Sequence, residues 1–269
     1  MNSVPGSQPK TTLERLFSGA GSRPLIGSNL INVGSEWTEL CGHAGFDFVC
    51  VDQMISAMSW QETSEMLRGA AAGKTSGWVR LSAYPWGGND QRALLRRDVL
   101  KAIAVGAEAI LASVDNPKDA AALIEMPQEH VRHRKYAVRG RDAEGVVPEG
   151  LPSIIPLIES ESALTNLEEF LAIPGVQAIF MGIGDLARLK GVSADVRDPT
   201  MARVLKDAVD LCMKQGVAVM CSTGKSDTLD EMLTSIERLR EIGLKGIWLA
   251  NPAHVAFKVY KTVVDRVRL

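Results

Sequence analysis

Eight short apolar runs recur along this chain, each followed by a stretch of helical periodicity, and no other feature narrows the fold as far. The runs are 25–30 (LIGSNL), 46–51 (FDFVCV), 77–82 (GWVRLS), 108–113 (EAILAS), 153–159 (SIIPLIE), 176–182 (VQAIFMG), 216–221 (GVAVMC) and 246–250 (GIWLA). A strand that is apolar on both faces belongs to a parallel sheet covered by helices. Helices are expected near 35–44, 60–72, 91–105, 117–126, 162–173, 198–215, 226–242 and 252–267. Eightfold alternation over 269 residues predicts one closed (β/α)8 TIM barrel in a single domain, an architecture that takes about 250 residues. No linker rich in Pro, Gly or Ser divides the chain.

Turn residues agree with this reading. Gly45, Gly106, Gly216 and Gly243 each precede a strand, where a helix must stop in the left-handed conformation. Ser226 and Asp227 offer caps for the helix that follows, and its Leu229, Met232, Leu233, Ile236 and Leu239 are expected to share a barrel-facing side. Residues 1–20 are expected to form a flexible N-terminal segment, with 21–269 as the barrel. Residues 127–150, between the fourth and fifth strands, outrun the usual short connection. This long basic loop carries His130, Arg132, His133, Arg134, Lys135, Arg139 and Arg141. It reads either as a solvated segment or as an arm over an anionic substrate.

A net charge of -2 gives no field to draw nucleic acid or an anionic membrane. No stretch approaches the roughly 18 apolar residues of a membrane span, and the polar start lacks the apolar segment of a secretion signal. Cys41, Cys50, Cys212 and Cys221 are scattered, with no C-x-x-C pair, and read as reduced core thiols. The expected location is the cytoplasm, and the expected partner is a small-molecule substrate rather than nucleic acid or membrane.

The residues that bear chemistry sit at strand ends. Glu159 closes SIIPLIE, and Asp185 follows QAIFMGIG. The carboxyl ends of barrel strands form the active-site rim, and two carboxylates there can hold one divalent cation through oxygen. The plainer alternative makes both of them helix caps or surface acids. Asp52 ends the second strand, and Arg80 lies inside the third between Val79 and Leu81. A guanidinium in a barrel strand needs a paired charge or a polar site. It would serve as an oxyanion binder at the mouth or as a structural partner of Asp52. Gly182 and Gly184 flank Ile183, let the backbone approach a ligand closely, and precede amides suited to a carboxylate. Met54, Ile55, Met58 and Trp60, with Tyr84, Pro85 and Trp86, put apolar and aromatic groups after strands two and three. They suit an apolar or aromatic part of a substrate, or a neighbouring subunit. Gln53, beside Asp52, and Trp86 are the side chains expected to touch substrate.

The segments LIGSNL, AGFDFVCVD, WVRL, PLIES and MGIGDLAR, in this order and spacing, resemble the HpcH/HpaI family of metal-dependent pyruvate aldolases from about residue 24 onward. The resemblance implies a Mg2+, Mn2+ or Co2+ ion on Glu159 and Asp185, chelating a 2-oxo acid through its carboxylate and keto oxygens. It implies that Arg80 stabilises the enolate or reacting carbonyl oxygen, and that the amides of residues 182–185 hold the substrate carboxylate. It also implies a homo-oligomer, a hexamer, in which the C-terminal helix contacts a partner. The chain departs from the family in three places. The strand-two motif Asp-Gly-Glu-His appears as Asp52-Gln53-Met54-Ile55, so Ile55 replaces the His that works with water as acid and base. Leu157 replaces the Gln two residues before the metal-binding Glu, and Ala104 aligns with an Asp expected across a subunit interface. His43 and His254 fall in helices away from the mouth, while His130 and His133 belong to the long loop. Asp52 or a metal-bound water is the more economical base. The expected activity is aldolase-type carbon–carbon lysis or addition. The alternatives are a divergent lyase that releases a small aldehyde such as formaldehyde from an aromatic substrate, and a catalytically inactive barrel that binds 2-oxo acids. Nucleic-acid binding through the basic loop lacks any supporting motif.

Overall fold

All eight apolar runs form strands, and the strands pair in chain order. The structure, a computed structural model, describes residues 12–81, 89–133, 151–226 and 228–268. The strands are β1 (Leu25–Leu30), β2 (Phe48–Asp52), β3 (Ser76–Arg80), β4 (Ala109–Ser113), β5 (Ser153–Ile158), β6 (Ala178–Met181), β7 (Ala218–Ser222) and β8 (Gly246–Leu249). Neighbours are parallel, and β8 pairs with β1, so the barrel closes without an open edge. Around it run α2 (Ser35–His43), α3 (Trp60–Ala72), α4 (Asn89–Val105), α5 (Pro117–His133), α6 (Glu161–Thr165), α7 (Leu167–Leu171), α8 (Ile183–Lys190), α9 (Pro199–Lys214), α10 (Leu229–Ile242) and α11 (Pro252–Val267).

Apolar strands bury both faces because alternate residues serve two different layers. Phe48, Trp78, Leu111, Ile155, Phe180 and Trp248 belong to the cluster inside the barrel. Val49, Val79, Ile110, Ile154 and Ile179 belong to the layer between sheet and helices. The inner layer is tight: the Phe48 and Trp78 rings stack with centroids 3.8 Å apart. Residue 27 must be glycine there, since a Cβ would stand 2.2 Å from the Phe48 ring.

The structure departs from expectation in several elements. Residues 12–20 of the N-terminal segment expected to be flexible form α1 (Thr12–Ala20). Leu13 is fully buried in the inner cluster, with Leu16, Phe17 and Ala20 packed against it. These four apolar residues lie at the i, i+3, i+4, i+7 spacing of one helix face. The Leu13 amide reaches the Ser153 hydroxyl at the start of β5 (3.4 Å), so α1 plugs the end of the barrel opposite the strand carboxyl ends. The helix expected at 162–173 is two short ones meeting at Asn166, and α8 is additional. α5 continues through Pro127 to His133, so residues 127–133 of the expected loop are helical, and 134–150 lie outside the described residues. α10 is capped by Thr228, which forms a capping box with Glu231; the expected cap Asp227 lies outside the described residues. α10 packs through its second half (Ser235, Leu239 and Ile242), leaving Leu229 69% and Leu233 50% exposed instead of facing the barrel. Gly45, Gly106, Gly216 and Gly243 all take positive φ, as their positions require. The four cysteines are buried and free. Among the described residues, no helix is long and apolar enough to cross a membrane.

A polar staple joins the chain before β1 to the chain before β2. The Arg23 guanidinium donates to both Asp47 carboxylate oxygens at 2.6 and 2.7 Å, and the Ile26 amide donates to Asp47 at 2.8 Å. Burial alone would raise the Asp47 carboxyl, but the Arg23 hydrogen bond and charge, together with the Ile26 amide, hold it below the ordinary value. A carboxyl lowered in this way contributes stability that is present above its unfolded value of about 4 and is lost as pH falls through the folded value. Arg23 is largely solvated, so the contribution is about 1 kcal/mol. Asp47→Asn should therefore lower the urea midpoint at pH 7, with the gap to the parent closing at pH 3. A gap of equal size at both pH values would contradict this.

Candidate active site at the carboxyl rim

The alternation that fills the barrel also places the polar residues. Two residues beyond an inward-facing apolar side chain, the next side chain faces inward again, one layer nearer the strand ends. Cys50, Trp78, Leu111, Leu157 and Phe180 belong to the inner cluster. Asp52, Arg80, Ser113, Glu159 and Gly182 follow them at that spacing and meet at the mouth. Asn29 follows Gly27 in the same way.

Asp52 is fully buried. Its Oδ2 accepts from Arg80 Nη2 and from Asn29 Nδ2 at 3.1 Å. Its Oδ1 accepts the backbone amides of Met54 (2.8 Å) and Ile55 (3.1 Å). Four donors occupy the roughly four acceptor positions of a carboxylate. The ion pair foreseen as the structural alternative for Arg80 is thus present. The Arg80 side chain is 16% exposed, and its guanidinium carbon lies 5.7 Å from the Trp248 ring centroid, a cation–π arrangement. Among the described residues, Arg80 Nε and Asn29 Oδ1 are buried without a hydrogen-bond partner. Unpaired buried polar atoms are rare in folded proteins, and two of them share this cluster.

Glu159 stands just past β5, between two neighbours. The Ser113 hydroxyl on β4 donates to its Oε1. On the other side, a Cβ at Gly182 would lie 2.7 Å from Glu159 Cβ and 3.1 Å from its Oε2, so only glycine admits this approach. Burial pushes the Glu159 carboxyl above the usual range; the Ser113 hydrogen bond opposes this, the nearby Asp185 charge adds to it, and Arg80 opposes it. Asp185 lies in the first turn of α8 and pairs with the exposed Arg188. Gly182 caps α8 without a side-chain hydrogen bond, and the first intrahelical bond runs from the Leu186 amide to the Gly182 carbonyl. The amides of Ile183, Gly184 and Asp185 therefore have no intrahelical acceptor and lie at the positive end of the helix dipole.

Glu159 and Asp185 are hard oxygen donors from adjacent strand ends, the donor type that Mg2+ and Mn2+ prefer. Among the described residues, no three His, Cys, Asp or Glu side chains converge on a metal position. Two carboxylates would leave further positions to water and ligand, as magnesium sites commonly do. Two carboxylates close together, one of them partly buried, are the kind of place where a divalent cation would supply the missing positive charge.

Other expected residues fall elsewhere. The Gln53 amide donates to the Thr63 hydroxyl and, at 3.5 Å, to the Ser59 carbonyl, bracing the start of α3. Trp60 opens α3 with Lys101 of α4 over its ring at 5.7 Å, so it packs between helices. Ile55 is exposed at the turn after β2. His43 is exposed and lies 3.5 Å from Glu39, and His254 is exposed on α11. Tyr84, Pro85 and Trp86, and the side chains of His130 and His133, lie outside the described residues. Sequence reasoning missed Asn29 and Ser113, although both carry the same signal as Asp52: a polar residue two positions after an inward-facing one.

A family model described as HpcH/HpaI aldolase/citrate lyase matches residues 35–252. Among curated proteins, the chain is similar to 2-dehydro-3,6-dideoxy-6-sulfogluconate aldolase of Pseudomonas putida, 28% identical over 207 residues that cover 74% of this chain and 77% of that one. It is also similar to hydroxypyruvate/pyruvate aldolase of Deinococcus radiodurans, 26% identical over 209 residues, covering 74% and 72%. Among solved structures, a HpcH/HpaI aldolase/citrate lyase family protein from Burkholderia cenocepacia superposes with a TM-score of 0.76 at 23% identity, covering 97% of this chain and 100% of that one. Identity that low speaks to the fold alone.

Proposed function

The chain belongs to the HpcH/HpaI aldolase/citrate lyase family, and on that premise we propose that it cleaves or forms a carbon–carbon bond beside the carbonyl of a 2-oxo acid, with a divalent cation on Glu159 and Asp185. It is an enzyme, a lyase of the class II aldolase type. One observation carries the site assignment: the partly buried Glu159 carboxylate, bonded by the Ser113 hydroxyl, lies against Gly182 at the turn that leads into Asp185 in the first turn of α8. Such a cation, of which Mg2+, Mn2+ and Co2+ are the candidates, supplies Lewis-acid charge at a carbonyl oxygen when bound.

The protein side chains then divide the work. In the cleavage direction, the bond between C3 and C4 of a 4-hydroxy-2-oxo acid breaks, and its electron pair moves toward the C2 oxygen. Arg80 places fixed positive charge where that negative charge develops. The amides of Ile183, Gly184 and Asp185, which have no intrahelical acceptor, hold the substrate carboxylate at the α8 N-terminus. The proton leaving the C4 hydroxyl needs an acceptor. Asp52, with its acceptor positions filled, holds Arg80 in place and leaves proton transfer to water at the mouth. Gln53 acts on the start of α3 instead of on substrate.

Subunit contact fits the exterior: α11 buries none of its residues, and it exposes Phe257, Val263 and Tyr260, the last 71% accessible. That face is assigned to a second copy, in a hexamer by family resemblance. Free buried thiols fit a reducing cytoplasm. A second reading, an aromatic substrate losing a small aldehyde, is favoured by Ile55, an exposed apolar residue whose backbone amide bonds the Asp52 carboxylate.

The test is carbon–carbon cleavage by chelator-treated protein before and after Mg2+ or Mn2+ is restored. The assays follow pyruvate release from 4-hydroxy-2-oxo acids and formaldehyde release from hydroxymethyl-substituted aromatic compounds. Turnover that depends on the restored metal is expected with the first substrate class. Metal-dependent turnover with the aromatic class alone would favour the second reading, and none with either would sink the lyase assignment of this site.

A further inference from the structure

Glu159 is held from a strand that contributes no charge to the mouth. Ser113 is the last residue of β4, 3% exposed, and pairs in register with Leu157 of β5. Its hydroxyl donates to Glu159 Oε1, while Glu159 Oε2 lies against Gly182 at the turn into α8. Asp185 sits in the first turn of that helix. A Glu side chain has three rotatable bonds, and a carboxylate left to itself presents its oxygens in many directions. Here one oxygen is committed to a buried hydroxyl, and the other lies at the β6–α8 turn, beside Gly182 and three residues before Asp185. The hydroxyl is fixed in its turn by the β4–β5 ladder, a rigid base for a ligand-orienting contact.

We propose that Ser113 is a positioning residue for divalent-cation binding: its hydroxyl orients the Glu159 carboxylate so that Oε2 is presented toward Asp185. This rests on the reading of Glu159 and Asp185 as the cation-binding pair and adds the residue that aims one of them. Ser113 touches neither substrate nor cation; it acts through Glu159. A hydrogen bond of this kind leaves the fold nearly intact when removed but loosens the ligand, and outer partners of metal ligands typically contribute roughly 10–100-fold to metal affinity.

The experiment measures Mn2+ binding to metal-free full-length protein by calorimetry for the parent, Ser113→Ala, Ser113→Thr and Glu159→Gln, with the thermal midpoint of each metal-free protein as a check on folding. The expected result is Mn2+ affinity about tenfold or more weaker in Ser113→Ala, recovery toward the parent in Ser113→Thr, which keeps the hydroxyl, and near-loss in Glu159→Gln. In activity assays, Ser113→Ala should show a raised Mn2+ requirement, with kcat approaching the parent at saturating Mn2+. A parent that binds Mn2+ while Ser113→Ala binds it equally well overturns this inference and leaves the cation pair standing. A parent that binds no Mn2+, or a Glu159→Gln protein that binds like the parent, overturns the cation pair itself and this inference with it. A purely structural Ser113 would shift the thermal midpoint without shifting Mn2+ affinity, which also counts against the proposal.

Discussion

Arg80→Met is expected to reduce kcat/KM by about 100- to 1000-fold and to destabilise the fold at the same time. The catalytic part follows from removing preorganised positive charge at a developing oxyanion, where one donor is typically worth that factor. The stability part has a separate origin. Asp52 is fully buried, and its Oδ2 would be left with only the Asn29 amide. Breaking a buried pair by removing one partner costs about 3–5 kcal/mol, because the remaining charge stays buried and uncompensated. The two effects separate in a cycle. Arg80→Met/Asp52→Asn removes both charges, keeps a carbonyl oxygen for the Met54 or Ile55 amide, and should recover much of the lost stability without recovering activity. Arg80→Lys keeps the charge but not the planar fork, and should fall between parent and Met in both measurements. Steady-state kinetics and urea midpoints on the same four proteins decide the matter. Recovery of kcat/KM in the double variant would show that Arg80 serves the fold alone.

The strands were legible because a closed barrel imposes one pattern on the sequence: apolar on both faces, eight times, with a turn glycine before several of the strands. The same alternation carried Asp52, Arg80 and Glu159 to a single layer, so reading strand ends found the acids and the guanidinium of the mouth. What each one does was less legible. The saturation of Asp52 depends on the turn after β2, where the Met54 and Ile55 amides fold back on the carboxylate; no residue type announces that. Ser113 looks like an ordinary residue at the end of a strand until the β4–β5 register sets it beside Glu159. Asn29 likewise reads as one more residue of the first strand until pairing of β1 with β2 brings it to Asp52. Two of the departures on the helices have local causes. α1 was hidden behind a polar start, although its four apolar residues have helical spacing. α10 carries more apolar residues than its contact with the barrel uses, so spacing alone could not tell the buried stripe from the exposed one.

Glu159→Gln and Asp185→Asn should each abolish metal-dependent turnover, and their effect on the metal-free protein gives the more searching test. Gln is nearly isosteric with Glu and still accepts the Ser113 hydrogen bond, so the mouth keeps its shape while losing a negative charge. In the parent, burial and the neighbouring Asp185 disfavour that charge. Metal-free Glu159→Gln should therefore be more stable than the metal-free parent at neutral pH, the usual sign when a functional site holds groups the fold would not choose. Adding Mn2+ or Mg2+ should reverse the order. A ligand that binds only the folded parent raises its thermal midpoint with concentration, while the variant, its cation affinity reduced by more than the roughly 100-fold typical of an outer partner, should not respond. Asp185→Asn should lose the metal response as well but gain less metal-free stability, because Asp185 is partly exposed and already faces Arg188. The crossing of the two stability curves is the signature of a cation site. If Glu159→Gln lowers metal-free stability, and the parent midpoint does not move with added Mn2+ or Mg2+, Glu159 is a structural acid that stabilises the rim, and the catalytic reading of the mouth has to be rebuilt around Arg80 alone.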